Sequence, residues 1–213
     1  MELALHGTSK RAWTGWFVAG TDLIKRVTAL SSTAFDFFHA EQIMLRHYES
    51  FGGFSYAFGD FLAAGLINHM DNPVMALMFS YIDPISMVDR IKANNVQVLM
   101  QQIAQDEFFT IENPEIWWED VKGKLGDNLS FRMIMNSFHF LLGHENQQQA
   151  MGSQRHFHQV AREFLGEVWS WNQSENGDWS HKMYPSVDMK VTWNEDDTNV
   201  VLKAAHDFSH IEP

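Results

Sequence analysis

Ser9 stands in the pentapeptide Gly7-Thr8-Ser9-Lys10-Arg11, between a strand-like stretch, Leu3-Ala4-Leu5-His6, and a helix-like one from Ala12 to Ala19. A serine on a sharp strand-to-helix turn is a nucleophile elbow. A small residue two positions earlier lets the strand turn tightly, and the N–H groups at the start of the following helix face the place where an oxyanion would form. The pentapeptide lacks the second glycine of G-x-S-x-G, with Arg11 in its place. A Gly-Thr-Ser turn also serves as a plain helix cap, so any chemistry depends on partners further along the chain.

Two such partners follow later strands. Val96–Ile103 reads as a β-strand and leads into Asp106-Glu107-Phe108-Phe109; Leu129–Met135 reads as another and leads into Asn136-Ser137-Phe138-His139. Serine, aspartate and histidine at successive strand ends, in that order, is the order of α/β-hydrolase triads. The long interval between Ser9 and Asp106 leaves room for an inserted helical cap. The shorter one between Asp106 and His139 holds one crossover helix and one strand, as a βαβ unit requires. Taken singly, Asp106 also fits a solvated loop carboxylate and His139 a hydrogen-bonded core histidine. His144, in Leu142-Gly143-His144-Glu145, is a rival base that a loop could present. Lys10 and Arg11, directly after the serine, fit recognition of an anionic or carboxylate-bearing substrate; Arg11 also fits an internal ion pair with Asp36 or Asp83.

The chain resembles the PhoPQ-activated pathogenicity-related proteins and their eukaryotic relatives, the autocrine proliferation repressors. The matching pieces are Gly7–Thr14, His47-Tyr48-Glu49-Ser50-Phe51-Gly52-Gly53-Phe54-Ser55, Tyr81-Ile82-Asp83-Pro84, Asp106–Phe109, and Asn136–His139 with Gly143-His144-Glu145; together they span most of residues 3–165. The resemblance implies an α/β-hydrolase core with Ser9, Asp106 and His139 in the triad positions. A serine hydroxyl needs an imidazole to take its proton and a carboxylate to hold the imidazole tautomer. Under the resemblance Ser9 attacks, His139 is the base, Asp106 orients it, and the Lys10 N–H is one oxyanion donor. Asn136 sets the register that makes His139 the base, leaving His144 to pack near the site or bind substrate. Three positions depart from the family pattern: Ala12 replaces a usual glycine, Met135 a usual proline, and Phe138 puts a bulky group beside the histidine. They bear on activity rather than fold. Two functions are implied. One is a serine hydrolase, peptidase or esterase, acting on a small ester or peptide substrate. The other is a non-enzymatic, secreted regulator that keeps the hydrolase shape. Family relatives imply a secreted or periplasmic location.

The elements that must position these residues make the expected fold α/β: a partial α/β-hydrolase core with a mostly parallel sheet, a helical cap insertion and the start of a β-rich C-terminal appendage. Residues 1–33 are read as strand, elbow, helix and strand, the second strand being Arg26–Ser32. Residues 34–92 hold no convincing strand; Phe35, Phe38, Ile43, Leu45, Phe58, Phe61, Leu62, Leu66, Met75, Leu77, Met78 and Phe79 recur at helical intervals, as a core stripe or a pocket lining. Residues 93–175 complete the core, with a helix opened by Pro114 and a long helix from about Gln147 to Trp171. Residues 176–213 form the extension, where Val187–Trp193 alternates as a strand should. In the family, several strands precede the elbow, and the loop after one of them gives a second oxyanion N–H. The strand at Leu3–His6 is therefore expected to need a partner, through self-association or an upstream segment.

Composition narrows the partners. A chain of 213 residues is ordinarily one domain; 45% hydrophobic content with seventeen Phe and eight Trp supplies a sizeable core. A net charge of −12, a pI near 5.2 and the lack of any basic run argue against nucleic acid as a partner. The absence of cysteine excludes disulfides and thiol catalysis without setting a compartment. No signal-peptide pattern is visible and no apolar run is long enough for a membrane span. The tripeptides Asn128-Leu129-Ser130 and Asn172-Gln173-Ser174 fit glycosylation sequons, a pattern common by chance. His156-Phe157-His158 falls in an expected helix, where alternate residues diverge, and His144-Glu145 lacks the second histidine of H-E-x-x-H. No metal site and no cofactor are expected.

Overall fold

A strand buried on both faces belongs in the middle of a parallel sheet covered by helices. Gln97–Ile103 is such a strand, with every residue buried. The computed structural model, which describes residues 1–135, 137–139, 147–172, 187–193 and 200–206, puts it there. Strands β1 (Leu3–Thr8), β2 (Val27–Thr33), β3 (Gln97–Ile103) and β4 (Leu129–Ile134) form a four-stranded sheet in the order β1-β2-β3-β4. Every pairing in it is parallel, and helices fill the crossovers, so the architecture is α/β. β2 and β3 are central and largely buried, whereas β1 and β4 are mostly half-buried or exposed. β1 is thus one edge of the described sheet. The chain divides into two units, Met1–Trp169 and Ser170–Pro213; this sheet belongs to the first.

α1 (Lys10–Thr21) crosses from β1 to β2 and buries Ala12, Trp16, Ala19 and Gly20, a spacing that lines one helical face. The Trp16 indole donates to the Ser32 hydroxyl at 3.0 Å, tying the helix to the sheet. Asp22 ends the helix. Its carboxylate accepts the N–H groups of Arg26 and Val27, which fixes where β2 starts, one residue later than the sequence suggests.

Between β2 and β3 run α2 (Ala40–Phe51), α3 (Gly59–Ala63), α4 (Pro73–Ile82) and α5 (Val88–Ala93), joined by 3₁₀ turns at Tyr56–Phe58, Leu66–His69 and Pro84–Met87. The sequence periodicity over this segment is only partly a core stripe. Ile43, Phe58, Met75 and Phe79 are buried, but Leu45, Leu62 and Leu77 are 52%, 49% and 55% exposed. Phe35 and Phe38 are buried ahead of α2 rather than within a helix. The helix cannot reach back to them because His39 has φ 57°, and the Asp83 carboxylate holds the Ala40 N–H at 3.0 Å, starting α2 there.

α6 (Pro114–Trp118) and a wider π-type turn, Glu119–Gly123, lie between β3 and β4. Glu115 sits in the first turn of α6, with Glu112 ahead of it. α7 (Gln147–Asn172) follows β4; Ala161, Phe164 and Val168 on it are buried. The main core joins Trp16, Phe35, Phe38, Ile43, Met100 and Trp117.

In the second unit β5 (Val187–Trp193) and β6 (Val200–His206) pair antiparallel, with Val187 opposite His206 and Trp193 opposite Val200. The alternation of β5 is plain in the sequence. That of β6 is not, because Val200-Val201-Leu202 is a continuous apolar run. Among the described residues no helix is long and apolar enough to cross a membrane.

Candidate active site

The elbow is held in a conformation that L-residues seldom adopt. Ser9 has φ 55° and ψ −127°, outside the allowed regions for most side chains, and such strain persists only where neighbours over-determine it. Here the Ser9 N–H donates to Thr33 O at 2.9 Å and Ser9 O accepts the Trp13 N–H at 3.0 Å. Gly7 makes room for the turn: a Cβ there would lie 2.6 Å from the Arg11 carbonyl and the Ala12 nitrogen. Gly7→Ala is therefore expected to destabilise the fold by about 1–3 kcal/mol, an overpacking cost, measured by chemical denaturation; a wild-type midpoint would show that the elbow tolerates a methyl group. Ala12, where the family usually has glycine, is fully buried in the core, so its methyl group has a place.

Lys10 opens α1, so its N–H belongs to the turn that has no intrahelical acceptor. The Lys10 and Arg11 side chains are exposed. Arg11 forms no ion pair among the described residues: Asp83 accepts the N–H groups of Ala40 and Ile85, and Asp36 accepts from Asn113.

Asp106 and His139 arrive from the ends of β3 and β4. His139 Nε2 lies 2.9 Å from Ser9 Oγ, and His139 Nδ1 lies 2.7 Å from Asp106 Oδ2. Both Asp106 and His139 are nearly fully buried, at 4% and 3% exposure, while Ser9 is half-buried. Asp106 Oδ1 accepts the N–H groups of Phe108 and Phe109 at 2.7 and 3.0 Å. Burial raises the Asp106 carboxyl above its ordinary range, against the pull of His139 and the two amides. The Phe108 ring packs on the imidazole with centroids 4.4 Å apart. Phe138, expected beside the histidine, lines a cavity of about 460 Å³ together with Phe51, Tyr56, Asp106, Glu107 and Ile111. His144 and Asn136 lie outside the described residues. Among the described residues no cluster of three or more histidines and carboxylates could hold a metal ion.

Residues 2–207 match the family of PhoPQ-activated pathogenicity-related proteins. The chain belongs to this family. It is 26% identical over 141 residues to autocrine proliferation repressor protein A of Dictyostelium discoideum, an alignment that covers 66% of this chain and 27% of that protein. Similar solved structures include a puromycin-hydrolyzing peptidase of Mycobacterium tuberculosis (15% identity, TM-score 0.45, 78% of this chain and 22% of that one) and an acylaminoacyl peptidase of Pyrococcus horikoshii (16% identity, TM-score 0.47, 83% and 25%). The chain thus spans about a quarter of the length of each of these proteins.

Two of the stretches by which the chain resembles the PhoPQ-activated family, His47–Ser55 and Asp106–Phe109, meet at the loop after β3. His47, on α2, is fully buried, and burial holds it below the ordinary histidine range, so its neutral Nε2 accepts the Ser55 N–H at 3.1 Å. Gly52, with φ 66°, closes α2 by donating to Tyr48 O, a left-handed cap that favours glycine. The chain can then turn and bring Ser55 to Glu107. Two pairings in the neighbourhood escaped sequence reading. Glu107 and Tyr56 bond each other at 2.6 Å; Asp36 and Asn113 form a buried pair at 3.2 Å. Glu107 sits inside a quoted motif, yet adjacency to Asp106 gives no sign of its partners.

Proposed function

We propose that this chain carries the reaction centre of a serine hydrolase, peptidase or esterase, acting on ester or peptide bonds. The observation that carries the reading is the hydrogen-bonded series from Ser9 Oγ through His139 to Asp106, presented by strand ends in the order such centres use. Protonation follows from the partners. An ionised carboxylate only accepts, so Nδ1 bears the imidazole proton toward Asp106 and Nε2 is left to accept the Ser9 hydroxyl proton. Ser9 Oγ then attacks the carbonyl carbon while His139 takes its proton. The Lys10 N–H, at the start of α1, supports the oxyanion. His139 returns the proton to the leaving group, and water repeats the sequence to free the enzyme. Lys10 and Arg11 are read as contacts for an acidic group on the substrate.

A fluorophosphonate probe tests this directly. Wild type is expected to label in a single-site manner, and Ser9→Ala to abolish labelling, because the base raises Ser9 reactivity well above that of surface serines. Labelling that survives Ser9→Ala would sink the reading. A second function, a proliferation-repressor-type signalling protein that retains the hydrolase shape, is favoured by the name of the Dictyostelium relative; a folded wild type that never labels would select it.

A further inference from the structure

Glu107 follows Asp106 directly, and both of its carboxylate oxygens are engaged. Oε2 accepts the backbone N–H of His139 at 3.1 Å. Oε1 accepts the Tyr56 phenol at 2.6 Å. Its main-chain carbonyl accepts the Ser55 hydroxyl at 2.7 Å, and the Ser55 N–H is held in turn by His47 of α2. Burial works against ionisation of Glu107, but the Tyr56 hydroxyl and the His139 amide outweigh it and hold the carboxyl below its ordinary range. The two consecutive acids therefore divide one histidine between them: Asp106 holds the ring and Glu107 holds the main chain that carries it. A ring gripped only at Nδ1 can still pivot as its backbone shifts, and a displacement of about 1 Å at a reacting group costs up to about 100-fold in rate. The residues that anchor Glu107 from the other side, Ser55 and Tyr56, both come from the helical segment between β2 and β3.

We propose that Glu107 is a positioning residue that clamps the main chain of His139, and that Tyr56 and Ser55 pass the placement of the helical segment on to the imidazole. The kinetic consequence rests on the serine-hydrolase reading; the clamp itself does not.

Two readouts on the full chain separate the two: hydrogen exchange of the His139 amide, and the second-order rate of fluorophosphonate labelling. In Glu107→Ala the amide loses its acceptor, and its exchange is expected to quicken about tenfold or more, with labelling slowed about 10- to 100-fold. Glu107→Gln keeps an oxygen for the amide and is expected to restore most of both. Tyr56→Phe, at a residue 76% exposed, leaves the fold intact and is expected to move both readouts the same way by a smaller factor, about threefold. It decides the matter if Glu107→Ala does not fold. Exchange and labelling at wild-type values in these variants would overturn the proposal, as would faster exchange with unchanged labelling. If wild type does not label at all while the amide responds as described, the hydrolase reading fails and the clamp stands.

Discussion

On the proposed serine-hydrolase reading, Asp106→Asn is expected to lower turnover of an activated ester by about 10⁴-fold at neutral pH while leaving the protein folded. The variant keeps Oδ1, so the N–H groups of Phe108 and Phe109 retain the acceptor that holds the loop. What changes is the atom facing His139. Where Oδ2 accepts from Nδ1 across 2.7 Å, the asparagine amide offers a donor, and the ring answers by presenting an unprotonated Nδ1. The imidazole proton then sits on Nε2, pointing at Ser9 Oγ, and the base can no longer take the serine proton. Loss of four powers of ten corresponds to about 5 kcal/mol of transition-state stabilisation. Steady-state kcat/KM, read beside a thermal melt that establishes folding, is the measurement. Activity within tenfold of wild type would remove Asp106 from the role of orienting acid.

The second large effect concerns stability. Asp36 is 1% exposed and forms no ion pair among the described residues. Its Oδ1 accepts from Asn113 Nδ2 at 3.2 Å, and the Thr110 hydroxyl orients that amide by donating to its oxygen at 2.8 Å. Burial pushes the carboxyl up from its ordinary 3.8 to about 8; the Asn113 hydrogen bond opposes this, and the charge of Asp106 adds to it. The sign follows from linkage. A folded-state value above the unfolded one means that the folded protein holds a proton which the unfolded chain has released. The contribution is fully favourable below about pH 4 and is lost progressively as pH rises to about 8. A shift of that size corresponds to about 6 kcal/mol. Asp36→Asn keeps the oxygen that accepts from Asn113 and removes the titration. Its stability relative to wild type is therefore expected to rise by about 4 kcal/mol between pH 5 and pH 8. Denaturant melts of both proteins at these two pH values give the difference, with the titrating groups that do not interact with Asp36 cancelling. A difference that stays flat with pH would mean that Asp36 ionises normally in the folded chain.

Much of the frame was legible because it is local. The strands of the sheet are short segments built around apolar residues, although β2 and β3 also bury Ser31, Ser32, Thr33, Gln97, Gln101 and Gln102, whose types do not announce it. The elbow is local as well: Gly7, Ser9 and the apolar face of α1 lie within one strand and one helix. The order of Ser9, Asp106 and His139 at strand ends follows once those strands are recognised, since a parallel sheet with helical crossovers delivers successive strand ends to one side.

What the tertiary structure alone decided is the set of contacts between segments far apart in the chain. The apolar spacing of residues 34–92 does not say that Ile43 faces inward and Leu45 outward, because the width of a buried helical face depends on what lies against it. Arg11 reads equally as an ion-pair partner or a free cation until Asp83 is seen holding the start of α2. The carboxyl of Asp36 reads as an ordinary acid until the core closes over it and no cation accompanies it. The bond between Tyr56 and Glu107 joins residues 51 positions apart, and no periodicity or motif encodes such a meeting. Hydrophobic patterning is a property of one segment and can be read along the chain; a hydrogen bond, an exclusion of water or a raised pKa is a property of two segments brought together, and it comes into being only when the sheet and its crossovers are in place.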